Sequence, residues 1–167
     1  MKENLSILLV GCGKMGGSVL NGLLKKGFKP ENIRVAEPDE KTREKLAAAG
    51  VASAASARDL ADFSPDFVFL AVKPFMIEQV VGDLKSFTDK RAAVLSIIAG
   101  RKIEWFKEKL GKDTVVFRAM PNTPAAIGAG ITGVKPSPEA SAEQKKAVEE
   151  ILSACGETVW LDDEGQI

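Results

Sequence analysis

Short apolar runs alternate with stretches of helical apolar spacing along almost the whole chain. Ser6 to Val10 is a short, nearly continuous apolar run, the pattern of a parallel strand buried on both faces. Val19, Leu20, Leu23 and Leu24 then fall on one face of a helix over Gly16 to Lys26, with Gly27 as its stop. Ile33 to Ala36 predicts the next strand. Asp39 predicts an N-cap for a helix running through Leu46 to Ala49 and closed by Gly50. Ser56 and Asp59 have capping-box spacing ahead of a short helix to Phe63. Phe67 to Val72 is the most apolar predicted strand, and Lys73 and Pro74 open a helix to about Phe87. Strands over Ala92 to Ala99 and Val115 to Met120 flank a helix over Ile103 to Leu110.

This β-α-β-α order predicts an α/β, Rossmann-like fold: a mostly parallel sheet with helices on both faces. After Met120 the rhythm changes. Pro121 to Gly130 reads as a loop rich in Pro, Gly and Ala, Ile131 to Val134 as a short strand, and Pro136 to Pro138 as a break. Ser141 and Gln144 have capping-box spacing for a helix through Ile151 and Leu152 to Gly156, and Thr158 to Leu161 predicts a last strand. A strand-helix-strand extension therefore closes the fold. No repeat or long linker interrupts residues 1–162, which read as one domain. The polar residues 163–167 read as the start of a connection.

Composition narrows the chemistry. A length of 167 residues suits one domain, at roughly 100–200 residues each. Hydrophobic residues at 45% can build a core, which argues against disorder or a disulfide-stapled miniprotein. Lys plus Arg and Asp plus Glu both total 23, so no basic footprint points to nucleic acid or a membrane surface. The stretch Met1 to Asn4 leads into only six residues before Gly11, too few for a signal-peptide core, and no apolar run is long enough to span a membrane. Cys12 and Cys155 are too few for a disulfide framework and suit a reducing compartment, so the reading is cytoplasmic. There is no His and no Tyr. That excludes Ser-His-Asp and Cys-His chemistry, His-ligated metals and a tyrosine general acid, and no metal is expected.

Gly11-Cys12-Gly13-Lys14-Met15-Gly16 fits G-x-G-x-x-G, directly after the first strand and opening the first helix. Gly11 would make the turn, Gly13 would admit a pyrophosphate to the backbone, and Gly16 would let helix and strand pack closely. The helix start offers unpaired N–H groups and a positive dipole end. Glu37 ends the second strand about 20 residues past Gly16, where an acid can hold the ribose hydroxyls of NAD. Lys41 and Arg43 lie just beyond and could instead meet the 2′-phosphate of NADP, so both cofactors stay open. Ala71-Val72-Lys73-Pro74 and the segment to Ala99 and Gly100 close parallel strands at the carboxyl edge, where ligands of such sheets bind. Arg118 to Ala126 holds Asn122 and Thr123 between Pro121 and Pro124, a stiff loop at the same edge.

These segments, above all Arg118-Ala119-Met120-Pro121-Asn122-Thr123-Pro124-Ala125, resemble pyrroline-5-carboxylate reductases, and the resemblance runs over essentially the whole chain. It implies reduction of the cyclic imine pyrroline-5-carboxylate to L-proline by NADP or NAD in reduced form. It implies cofactor contacts at Gly11, Cys12, Gly13, Lys14, Met15, Gly16, Ala71, Val72, Lys73, Pro74 and Ala99, with Asn122 and Thr123 at the nicotinamide edge. Family members also carry a helical C-terminal domain of roughly 100 residues, the size of a small domain. It builds an intertwined dimer and brings the substrate-clamping loop. Residues 1–167 contain no such unit, so residues 163–167 would start a linker to it and no catalytic residue is assigned here. The resemblance further implies a full-length homo-oligomer, a monomer or weak contact for this chain alone, and exposed apolar surface near Pro121 to Gly130. Glu37 and Ala57 depart from residues common in the family, which bears on NAD against NADP. Another dehydrogenase of the superfamily, such as a deazaflavin-linked NADP reductase, shares the fold and glycine motif but not the Met120 to Pro124 loop. A regulatory domain that binds a dinucleotide without chemistry is the alternative of a different class.

Overall fold

In the computed structural model, which describes residues 4–167, the apolar run after Ser6 forms β1 (Ile7–Val10), buried throughout. The first three residues of the predicted N-terminal stretch lie outside the described residues. The first amphipathic stretch forms α1 (Lys14–Lys25), burying Gly16, Val19, Leu20 and Leu23. It is followed by β2 (Ile33–Ala36), α2 (Glu40–Ala48), β3 (Ala52–Ala54) and β4 (Phe67–Leu70). Next come α3 (Ile77–Val80), α4 (Lys85–Thr88), β5 (Ala93–Ser96), α5 (Ile103–Leu110) and β6 (Val116–Pro121). The extension consists of β7 (Gly130–Pro136), α6 (Ala142–Leu152) and β8 (Gly156–Trp160).

One eight-stranded sheet has the order β3-β2-β1-β4-β5-β6-β7-β8. All its pairs are parallel except β6 with β7. Alternate residues of β1 serve opposite faces: Ile7 and Leu9 join α1 and α6 in one core, while Leu8 and Val10 join Ile77, Leu84, Phe87 and Phe106 in the other. Helices therefore cover both faces, as the alternation predicts. Strand order reverses between β1 and β4. A crevice at that point, beyond the carboxyl ends of the strands, is where open α/β sheets take ligands.

Several local expectations are corrected. β3 went unpredicted because Ala52–Ala54 is a short edge strand of small, partly exposed residues with no apolar run to announce it. The single helix expected from Pro74 to Phe87 is instead α3 and α4 interleaved with 3-10 turns at Pro74–Met76 and Val81–Leu84. Ile77, Val81, Leu84 and Phe87 are all buried, so the periodicity was a true face of a segment whose winding changes around Gly82. Ser56 makes no cap: its hydroxyl donates to the Asp59 carboxylate (2.9 Å), and Ala57–Leu60 winds as a 3-10 turn. The strands expected to reach Val72 and Ala99 end at Leu70 and Ser96, and their last residues form carboxyl-edge loops. The loop after Met120 begins only past Pro121 and contains a 3-10 turn over Thr123–Ile127. Residues 163–167, expected to begin a connection, contain a 3-10 turn over Glu164–Gln166, which leaves that expectation open.

Candidate cofactor-binding site

The turn from β1 into α1 gives each glycine a separate reason. Gly11 has φ +92°, a backbone that L side chains rarely adopt, and its N–H donates to the Ala36 carbonyl (2.9 Å). A Cβ at Gly16 would stand 2.2 Å from the Gly11 carbonyl oxygen, so helix and turn can meet only without it. Gly13 is different. Its φ is an ordinary −72°, and a Cβ there would meet no protein atom within 4 Å. No neighbouring atom demands glycine at this point, although a helix N-cap tolerates it well; a ligand approaching from outside would demand it. α1 has no acidic residue in its first turn and no side-chain cap, which leaves its positive end free for an anion.

A groove runs past Gly13 in two connected halves. One, a cleft of about 390 Å³, is lined by Gly11, Cys12 and Gly13, by Glu37 after β2, by Ala55 to Ala57 after β3, and by Met76, Gln79 and Val80. The other, about 660 Å³, is lined by Gly13, Lys14, Met15, Ile97, Met120 and Pro121. Gly13 and Ala71 to Lys73 border both halves. A depression of about 570 Å³ lies against Asn4, Asp66, Lys90 and Arg91, at the amino-terminal ends of the strands, away from the glycine turn.

Glu37 is nine-tenths buried in the groove wall. Its Oε2 accepts from the Cys12 N–H (2.8 Å) and its Oε1 from the Asp39 N–H (3.0 Å). The carboxylate thus clasps the glycine turn to the end of β2. Arg43 does not face an anion in this arrangement; Nη1 donates to the carbonyls of Glu37 and Pro38 (2.9 and 2.7 Å). The Cys12 thiol is held above the ordinary cysteine pKa, first by burial and second by the negative charge of Glu37.

Most of the residues singled out from sequence meet here, and some do not. Gly11, Cys12, Gly13, Lys14, Met15, Glu37, Ala71, Val72 and Lys73 line the groove, while Gly16 lies beneath it. Pro74 and Ala99 are exposed and line neither half; beside Ala99, it is Ile97 that lines the wall. Asn122 and Thr123 also lie outside it. Asn122 Oδ1 accepts from the Ile131 N–H (2.9 Å), so the side chain fastens its own loop to β7, while Met120 and Pro121 reach the groove. Sequence reasoning missed Ala55, Ser56, Met76, Gln79 and Val80. The first two follow an unrecognised strand, and recognising β3 would have placed them at the carboxyl edge.

Residues 6–100 match the family model described as "NADP oxidoreductase coenzyme F420-dependent". The pyrroline-5-carboxylate reductase of Aquifex aeolicus is 38% identical over 155 residues, covering 93% of this chain and 57% of that protein. A solved pyrroline-5-carboxylate reductase from Coxiella burnetii superposes with a TM-score of 0.91 at 31% identity, covering 98% of this chain and 61% of that one. That of Plasmodium falciparum, solved with NADP bound, gives 0.84 at 25% identity, covering 98% of this chain and 60% of that one. The chain spans about 60% of the length of the first curated relative, a pyrroline-5-carboxylate reductase of Pasteurella multocida. The family-model match ends at Gly100, ahead of the Met120 to Pro124 loop. With its glycine turn, its sheet and nearly all of its length accounted for in this way, the chain belongs to the family of NADP oxidoreductases described as coenzyme F420-dependent, and its likeness to pyrroline-5-carboxylate reductases extends from end to end.

Proposed function

We propose that this chain is the dinucleotide-binding part of an NAD(P)H-dependent reductase that converts pyrroline-5-carboxylate to L-proline. Gly13 carries the reading: it is the one glycine of the turn that the fold itself does not require, and it stands where the N–H groups of α1 converge. Gly13 and the start of α1 would hold the pyrophosphate, and the Glu37 half of the groove would take the adenosine. Lys14, Met15, Ile97, Met120 and Pro121 would surround the nicotinamide. When bound, the reduced cofactor supplies a hydride, and a protonated cyclic imine is already electrophilic enough to accept it. The chain's own task is then orientation and exclusion of water, which needs neither His nor Tyr. The likeness to relatives of greater length supports a division in which residues 1–162 form this domain and residues 163–167 lead toward a substrate-clamping unit. The reading takes the substrate to be a small molecule, as the relatives' name has it, and carries with it a homo-oligomeric, cytoplasmic enzyme with no nucleic-acid or membrane partner.

Titration calorimetry with NADH and NADPH tests the cofactor site directly. The chain should bind at least one of them, and Gly13→Val should abolish binding while lowering the unfolding midpoint by no more than the roughly 2–4 °C that a poorer N-cap residue costs, because its Cβ meets no protein atom. Unaltered binding by Gly13→Val would take the pyrophosphate away from this turn.

A further inference from the structure

Beyond β8 the chain stays on the sheet. The Leu161 N–H donates to the Val134 carbonyl (2.9 Å), and Lys135 Nζ donates to the Asp162 carbonyl (2.8 Å). The Leu161 side chain lies over Gly133, where an added Cβ would stand 3.1 Å from it. A 3-10 turn over Glu164–Gln166 follows, closed at its start by a capping box. Asp163 Oδ1 accepts from the Gly165 N–H (2.7 Å), and Gln166 Oε1 accepts from the Asp163 N–H (3.1 Å). The turn presents Glu164, whose Oε1 accepts from the Ile103 N–H (2.8 Å) and from Arg118 Nη1 (3.2 Å).

Arg118 is the costly member of this cluster. Its side chain is only 8% exposed, and its Nε has no hydrogen-bond partner among the described residues. A guanidinium this deeply buried depends on its anion; removing one partner of such a pair is far more disruptive than the pair is stabilising. Neither anchor point of Glu164 lines the groove, but each is close in the chain to a wall of its Met120 half. Ile103 opens α5 just after the loop that carries Ile97, and Arg118 lies on β6 just before Met120 and Pro121.

We propose that Glu164 is a positioning residue for the nicotinamide end of the groove. A single carboxylate oxygen ties the start of α5 to β6 and so fixes the wall bearing Ile97 against the wall bearing Met120. The inference rests on the dinucleotide reading given above. Without the carboxylate, Arg118 is left as an unpaired buried cation, and its move toward water displaces the end of β6. The Glu37 half is held separately, by the clasp of Glu37 on Cys12 and Asp39, and touches neither anchor point. The effect is therefore confined to one end.

The test compares NADH with ADP-ribose, which lacks the nicotinamide, by calorimetry on the whole chain. Glu164→Gln is expected to weaken NADH about tenfold, a change of about 1.4 kcal/mol, and to leave ADP-ribose unchanged. A purely structural role would lower the unfolding midpoint and weaken both ligands alike; equal weakening, or none, overturns the proposal. Should Glu164→Gln not fold, Arg118→Met combined with Glu164→Leu removes the stranded charge, and its NADH preference over ADP-ribose must still shrink. Preserved preference in that variant overturns the role as well. A wild-type chain that binds neither ligand overturns the dinucleotide reading itself, and this role with it.

Discussion

Glu37 clasps the glycine turn, and the proposed dinucleotide reading gives its carboxylate a ribose to meet as well; substitution separates the two. Each oxygen already accepts one backbone N–H, from Cys12 and from Asp39, and a carboxylate oxygen has capacity for a second. The charge there favours a ribose hydroxyl and opposes a 2′-phosphate. Glu37→Ser should therefore raise the affinity for NADPH relative to NADH by roughly 5- to 150-fold, the equivalent of about 1–3 kcal/mol. It should also weaken both ligands in absolute terms, because Ser is too short to keep the clasp on the glycine turn. Paired titrations with the two cofactors read both effects. An unchanged ratio would mean that the Glu37 charge does not meet the ribose. The sequence carried the position of this residue, through its spacing from the third glycine, but not its clasp. Hydrogen bonds across two chain reversals have no local signature. The same holds for Asn122: its position between prolines was legible, but the bond that its Oδ1 accepts from the Ile131 N–H was not.

At the scale of elements, what was legible depended on whether local chemistry and tertiary packing agreed. Asp39 caps α2 by accepting from the Thr42 N–H (2.8 Å), and Ser141 caps α6 while Gln144 returns the bond, both as the spacing predicts. Ser56 and Asp59 have similar spacing yet bond to each other, and the segment behind them winds as a 3-10 turn. Periodicity found the buried face from Ile77 to Phe87, but it cannot distinguish one helix from a chain of short turns bearing the same face. The two serines give a paired prediction. Ser141→Ala removes the acceptor for the Gln144 N–H at the start of a helix that buries Val148, Ile151 and Leu152, and should cost about 1 kcal/mol. For a chain of this size that is a fall of roughly 2–4 °C in the unfolding midpoint. Ser56→Ala caps nothing and should stay within about 0.5 kcal/mol of the parent. Calorimetric or circular-dichroism melts of both variants decide it; equal shifts would mean that the capping box at Ser141 contributes nothing of its own.

For the molecule as a whole, the groove provides a place for a hydride donor without an enclosure for its acceptor. Around the Met120 half, the lining is Gly, Met, Ala, Val, Ile and Pro, with Lys14 and Lys73 as the only charged residues. Both lysines are exposed. Apolar surface stands open nearby: Phe75 beside the Lys73 lip is 73% exposed, and Ile127 in the loop after Met120 is 83% exposed. Exposure on this scale, near the expected Pro121 to Gly130 surface, fits a face that another part of a longer protein covers. Hydride transfer requires the imine carbon about 3–3.5 Å from its donor, and misplacement by about 1 Å can cost on the order of 100-fold. These 167 residues on their own should therefore bind cofactor but turn over pyrroline-5-carboxylate far below the typical enzyme rate of about 10 s⁻¹. They should also sediment as a monomer or a weak associate. The measurement is imine-dependent oxidation of NADH and NADPH, with sedimentation fixing the mass in the same buffer. Turnover near 10 s⁻¹ from a monomer would locate the substrate clamp within this chain, and Lys14 and Lys73, the two cations at the groove, would be the first residues to replace.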